Sequence, residues 1–209
     1  MNVAEPSDLA MSTSQAAVLR VLAGTTAGLP VRELARLSEV APSRVSTVVR
    51  HAADRGLVLT DRLRGSLICR LNREHLAADA IIALVTLRGR MLNLLTAEIS
   101  AWTSPVLHAS LFGSAARGDG STSSDLDVLL VPRSAKERDT NDWEVQLYDS
   151  AQRVRSATGN SAAWLVLTQE ELASAKRSRE PIISELERES ITLAGRTFAE
   201  VVTLKHGRS

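Results

Sequence analysis

The sequence predicts an α+β chain in two parts, a helical first half closed by a β-hairpin and a second half in which strands and helices alternate. Three observations carry this. Apolar residues recur at helical spacing up to about residue 56. Two short apolar runs then flank Asp61-Arg-Leu-Arg-Gly65. From residue 104 onward, compact apolar runs are separated by Gly- and Ser-rich turns and longer helical patterns.

The first helix is expected over 14–24, with Ala17, Val18, Val21 and Leu22 on its apolar side, and 24–30 as a turn. Val31 to Ser38 makes a second helix. Pro42 suits the start of a third, where its missing N–H costs nothing, and Gly56 suits its end. Val45, Val48, Val49 and Ala52 fall on one face of that helix. The runs 57–59 and 67–69 pair as strands around the tip 61–65. Three helices and a hairpin in this order make a winged helix-turn-helix over 12–72.

Its charge suits a polyanion. Between 41 and 73 stand seven arginines against two aspartates, although the whole chain carries a formal net charge of only +1. Ser43, Arg44, Ser46, Thr47 and Arg50 face outward from the third helix, as phosphate and base-edge contacts in a major groove would require. Arg62 and Arg64 on the wing reach the backbone or a minor groove. The segment 31–71 resembles winged-helix regulators of the ArsR and MarR type, which implies double-stranded DNA as partner; some winged helices bind protein instead.

Residues 73–103 read as one long linking helix with Leu76, Ala80, Leu84, Leu87, Met91, Leu94 and Leu95 on a broad stripe. Two uses fit: pairing with a second copy as a homodimer, or covering the chain's own second domain.

The most informative stretch follows. An apolar run, 105–112, ends in Gly113-Ser114; ten residues then separate Ser114 from Asp125, and Asp125-Leu-Asp127 opens a second apolar run, 128–131. Alternation along a strand projects Asp125 and Asp127 together. Two like charges this close call for a cation, and Mg²⁺ (or Mn²⁺) takes carboxylate oxygens together with phosphates and water. Gly113 lets backbone N–H groups approach a phosphate, Ser114 adds a hydroxyl, and a short helix at 114–117 presents its positive end. A P-loop is excluded, because Asp119 follows Gly118 where Lys would stand.

Gly-Ser, a fixed gap and Asp-x-Asp resemble the signature of DNA polymerase beta-type nucleotidyltransferases, in particular the small stand-alone ones called minimal nucleotidyltransferases, over about 104–204. The resemblance implies a small mixed-sheet domain, a nucleoside triphosphate at Gly113, Ser114 and Arg117, and a metal on the catalytic pair Asp125 and Asp127. It also implies an antitoxin-like role, since such domains commonly partner small helical toxins. Enzymes of this family carry a third acid on a later strand, and the run 162–167 has none. Glu170 and Glu171 follow Thr168 as helix-start residues in a capping box. Two readings stay open: a DNA-binding regulator that senses nucleotide, or an enzyme moving a nucleotide to a protein, RNA or small-molecule acceptor.

A lone Cys69 excludes an internal disulfide, and no apolar run is long enough to span a bilayer. A cytoplasmic protein without membrane contact is expected. The tail is read as a helix over 182–189, a turn at Gly195 and a last amphipathic helix.

Overall fold

The computed structural model describes residues 1–63 and 65–203. The chain forms two compact units: Glu5–Arg88, and Met1–Ala4 together with Gly89 onward. Chain order is therefore a strap of four residues in the second unit, then the whole first unit, then the rest of the second.

In the first unit, α1 (Thr13–Ala23) begins at a capping box in which Ser12 and Gln15 satisfy each other's backbone N–H groups. Helices α2 (Val31–Ser38) and α3 (Pro42–Ala53) follow, the latter with Pro at its first turn. Val45, Val48, Val49 and Ala52 are buried with Leu22, Leu34 and Cys69 in one core. The strands β2 (Val58–Leu63) and β3 (Ser66–Leu71) pair antiparallel, with Leu63 opposite Ser66 and Gly65 at φ +80°. The hairpin is longer than the sequence suggests. Asp61 and Arg62 lie in β2 rather than in the tip, because cross-strand pairing extends to Leu63. A two-residue strand, β1 (Leu29–Pro30), adds to the far edge of β3 where only a turn was expected.

The stretch 73–103 is two helices rather than one, α4 (Ala78–Val85) and α5 (Leu87–Ser100). Thr86 marks the break, its backbone N–H and its hydroxyl both donating to the Ile82 carbonyl, at 3.1 and 2.7 Å. Leu76 lies before α4 and is fully exposed, so the expected stripe starts later. Val85 packs into the core of the first unit, whereas Met91, Leu95 and Ile99 belong to the core of the second.

The second unit is built on a mixed four-stranded sheet of order β6-β5-β4-β7. Strands β4 (Val106–Phe112) and β5 (Leu126–Pro132) pair antiparallel, β5 and β6 (Ala162–Val166) pair parallel, and β7 (Ile191–Gly195) flanks β4. The sequence reading missed β7, although Ile-Thr-Leu-Ala carries the alternation of an edge strand: Leu193 is buried, Thr192 exposed.

Alternation sorts the sheet into two faces. Leu126, Val128, Leu130 and Leu111 face a core containing α5 and α8 (Asn141–Thr158). All three tryptophans meet there, Trp102 lying edge-on to Trp143 and Trp164 at centroid distances of 6.0 and 5.9 Å. Leu129, Val131 and Leu165 face a second core with α9 (Gln169–Arg177), α10 (Pro181–Glu189) and α11 (Phe198–Thr203). Between β4 and β5 comes the five-residue helix α6 (Gly113–Arg117), and after β5 the short α7 (Ala135–Arg138). No single helix among the described residues is long and apolar enough to cross a membrane.

Candidate functional site

The antiparallel register of β4 and β5 sets Phe112 opposite Asp127, so Gly113 leaves β4 beside that carboxylate. Gly113 has φ +67°, and a Cβ built on it would lie 2.6 Å from Asp127 Oδ2. Any side chain here would both strain the backbone and displace the carboxylate, which is why glycine stands at this position. Asp127 is half-buried; Asp125, just before β5, is exposed. Burial first, then the negative charges of Asp125 and Glu185, push the Asp127 carboxyl above its ordinary range, opposed by Arg117.

The Ser114 carbonyl accepts from Gly118 N at 2.9 Å and from Asp119 N at 3.2 Å, closing α6 into a tight turn with Gly118 left-handed. Arg117 extends from that turn into a ring of carboxylates. It meets Asp119 at 3.0 Å and both Glu185 and Glu189 of α10 at 3.1 Å. These partners raise its already high pKa, with Asp119 and Glu189 the largest causes.

Parallel pairing places Ala163 of β6 directly beside Asp127 and Ala162 beside Leu126. Ala163 therefore occupies the position at which an acid on this strand would reach the pair. Trp164 points to the opposite face and donates from Nε1 to the Leu147 carbonyl at 3.1 Å. Glu171 is where the sequence put it: Thr168 and Glu171 form the capping box of α9. Just before β6, the Asn160 amide donates to the Thr122 and Ser124 carbonyls of the loop before Asp125. Among the described residues no group of three or more His, Cys, Asp or Glu is placed to hold a metal.

Sequence reasoning missed His108 and Ser110, both fully buried on β4 and on the same face as Asp127. The Arg196 carbonyl can only accept, so Nδ1 carries the proton it receives at 2.6 Å, and Nε2 accepts from the Ser110 hydroxyl at 2.9 Å. Burial pushes the His108 pKa below its ordinary value. The only sequence signal was a polar His-x-Ser inside an apolar strand.

In the first unit, Ser43, Arg44, Thr47 and Arg50 are exposed on α3 and Ser46 is half-buried. The Ser46 and Thr47 hydroxyls donate back to Pro42 and Ser43 carbonyls at 2.9 and 3.1 Å, leaving their lone pairs outward. Arg62 is exposed on β2, and Arg64 lies outside the described residues. Among the described residues, Arg44, Arg50 and Arg62 form no ion pair.

Residues 96–191 match the family described as "Nucleotidyltransferase domain". The match lies within the second unit and includes Gly113, Ser114, Asp125 and Asp127. No curated protein matches the chain. Among solved structures, a toxin–antitoxin with AMP-PNP is similar at 18% identity, over 53% of this chain and 77% of that one, with TM-score 0.37. TrmBL2, an archaeal chromatin protein described with a novel mode of DNA binding, is similar at 16% identity, over 86% and 73%, with TM-score 0.30.

Proposed function

We propose that this chain is a DNA-binding regulator whose nucleotidyltransferase domain binds a Mg²⁺–nucleoside triphosphate. The observation that carries the nucleotide half is the apposition of the Asp127 carboxylate to the Gly113 backbone inside the family-matched segment. In this reading Asp125 and Asp127 hold Mg²⁺ or Mn²⁺, while Gly113 and Ser114 take phosphate oxygens. The residues suit such an ion: two hard carboxylates, one of them desolvated and crowded by like charge, are relieved by a dication. When bound, the metal neutralises the phosphates and any charge that develops on a leaving pyrophosphate. Arg117 reaches the phosphates only by leaving its carboxylate partners.

The DNA half rests on the order of three helices and a β-hairpin, read as a winged helix, with Arg44, Arg50 and Arg62 exposed and without an ion pair among the described residues. A homodimer and a toxin-like protein partner rest on the resemblance to regulators and to minimal nucleotidyltransferases.

Calorimetry of the full chain with ATP, GTP, CTP and UTP in Mg²⁺ tests the nucleotide half. Binding by the wild type that disappears in Asp125→Asn/Asp127→Asn is expected. Equal affinity in both proteins overturns the proposal and makes the pair structural.

A second reading, an active transferase with a protein, RNA or small-molecule acceptor, is favoured by the intact Asp pair and opposed by Ala163. Register singles out Ala163→Asp as the variant that restores an acid beside Asp127. With α-labelled triphosphates, label transfer by the wild type that is lost in Asp127→Asn would establish the enzyme. Transfer by Ala163→Asp alone would locate the defect.

A further inference from the structure

Asp125 stands outside β5, at the end of the loop 118–125, and an exposed carboxylate in a loop has no ladder to hold it. Asn160 supplies the hold from the neighbouring strand. It is 3% exposed, and its Nδ2 donates to the Ser124 carbonyl at 3.0 Å, to the Met1 carbonyl at 3.0 Å and, more weakly, to the Thr122 carbonyl at 3.4 Å. All three partners are acceptors only, so the amide must present its NH₂ to them. Asn160 is itself anchored. Its N–H donates to Thr158 Oγ1 at 3.1 Å, and that hydroxyl donates to the Val154 carbonyl at the end of α8. One residue further on, Ser161 O accepts from Leu126 N at 2.8 Å. The backbone on both sides of Asp125 is thus held from the segment 160–161.

The strap 1–4 backs the same loop from behind. Val3 is fully buried among Leu95, Ile99 and Leu126, and its side chain fills the space where a Cβ on Gly120 would stand. That same space lies 3.0 Å from Ser114 Oγ and 3.3 Å from Ser124 Oγ, so strap, phosphate-side serine and acid-side serine converge on Gly120.

We propose that Asn160 is a positioning residue for Asp125, fixing the end of its loop through the Ser124 and Thr122 carbonyls, with the strap 1–4 as its backing. The consequence for ligand affinity rests on the nucleotide reading above; the ordering of the loop does not.

The experiment compares the full-length wild type, Asn160→Ala, Val3→Ala and Leu172→Ala, the last a core truncation in α9 away from the loop. The readouts are melting temperature, affinity for Mg²⁺–ATP, and hydrogen exchange of amides 120–126. Removing two short neutral hydrogen bonds should weaken Mg²⁺–ATP by about tenfold and speed loop exchange, with Val3→Ala shifted less in the same direction. Leu172→Ala should lose melting temperature and keep both other readouts. Wild-type affinity and exchange in a folded Asn160→Ala overturn the proposal. If no protein binds Mg²⁺–ATP, the nucleotide reading fails and exchange alone decides, unchanged loop protection in Asn160→Ala being fatal. If Asn160→Ala does not fold, Val3→Ala is judged on the same readouts, and an unchanged loop there is likewise fatal.

Discussion

The arginines of α3 and the arginine of α6 are the same side chain in opposite circumstances. Arg44 and Arg50 stand exposed with no carboxylate in reach among the described residues, whereas Arg117 is enclosed by Asp119, Glu185 and Glu189. A guanidinium without a partner keeps its whole charge for an incoming phosphate. One ringed by carboxylates must first give those bonds up, and its value to a ligand is the difference between two charge-assisted contacts. Position in the chain says nothing of this; the neighbours brought by the fold decide it.

The largest expected effect tests the free arginines. Arg44→Ala or Arg50→Ala should each weaken binding to duplex DNA by about 1–3 kcal/mol where a base edge is read, and flatten the salt dependence by about one counterion for each phosphate that the variant no longer meets. Titrations of the full-length protein at several salt concentrations measure both. A slope unchanged in the double variant would mean that α3 does not meet the backbone at all.

The next effect belongs to Asp127. Its folded pKa is raised, so the contribution to stability is complete below the unfolded value of 3.8 and is lost as pH rises through the folded pKa. At neutral pH the ionised carboxylate is therefore a burden in the metal-free protein, and Asp127→Asn should hold or raise the melting temperature. A clear drop would show that the carboxylate makes a stabilising contact.

A smaller effect concerns the enclosed arginine. Glu185→Gln/Glu189→Gln should tighten Mg²⁺–nucleotide binding a few-fold by releasing Arg117, and Arg117→Ala in that background should reverse the gain. Folding stability should move little, because Arg117 is solvent-exposed and its ion pairs are screened. If Arg117→Ala weakens the wild type as much as the double variant, the carboxylates do not compete with the ligand.

His108 gives the smallest and most pH-specific effect. Its folded pKa lies below the ordinary 6.5, so its contribution is present above that value and lost as pH falls through the folded pKa. Thermal melts between pH 7.5 and 5 should show a decline that His108→Gln, which cannot become charged, reduces. An identical decline in the variant would assign it to other groups.

How much of this was legible beforehand depends on the range of the interaction responsible. Local signals were readable: the Thr168–Glu171 box, Pro42 at a helix start and the buried valines of α3 all depend on neighbours within a turn or two. Gly113 could be named from the motif, but the contact that requires it comes from Asp127, fourteen residues on. Non-local pairing escaped the reading. Strand β7 exists because β4 offers it an edge, and Arg117 meets Glu185 and Glu189 only because α10 returns beside α6. The break at Thr86 was missed for another reason: apolar residues continue on both sides of it, at Val85 and Leu87, so the pattern carries no mark of it.

The strap has a consequence for how the chain is made. A ribosome emits Val3 before the other buried residues of its core, which begin at Met91 and continue to Leu193. The unit 5–88 emerges complete while Val3 is still without a core. Residues 1–4 therefore meet the core that buries Val3 only after the whole compact unit 5–88 has been made. A tag fused ahead of Met1 would burden that final step and leave the arginine-bearing unit untouched, so the two halves of a tagged protein should mature on separate schedules.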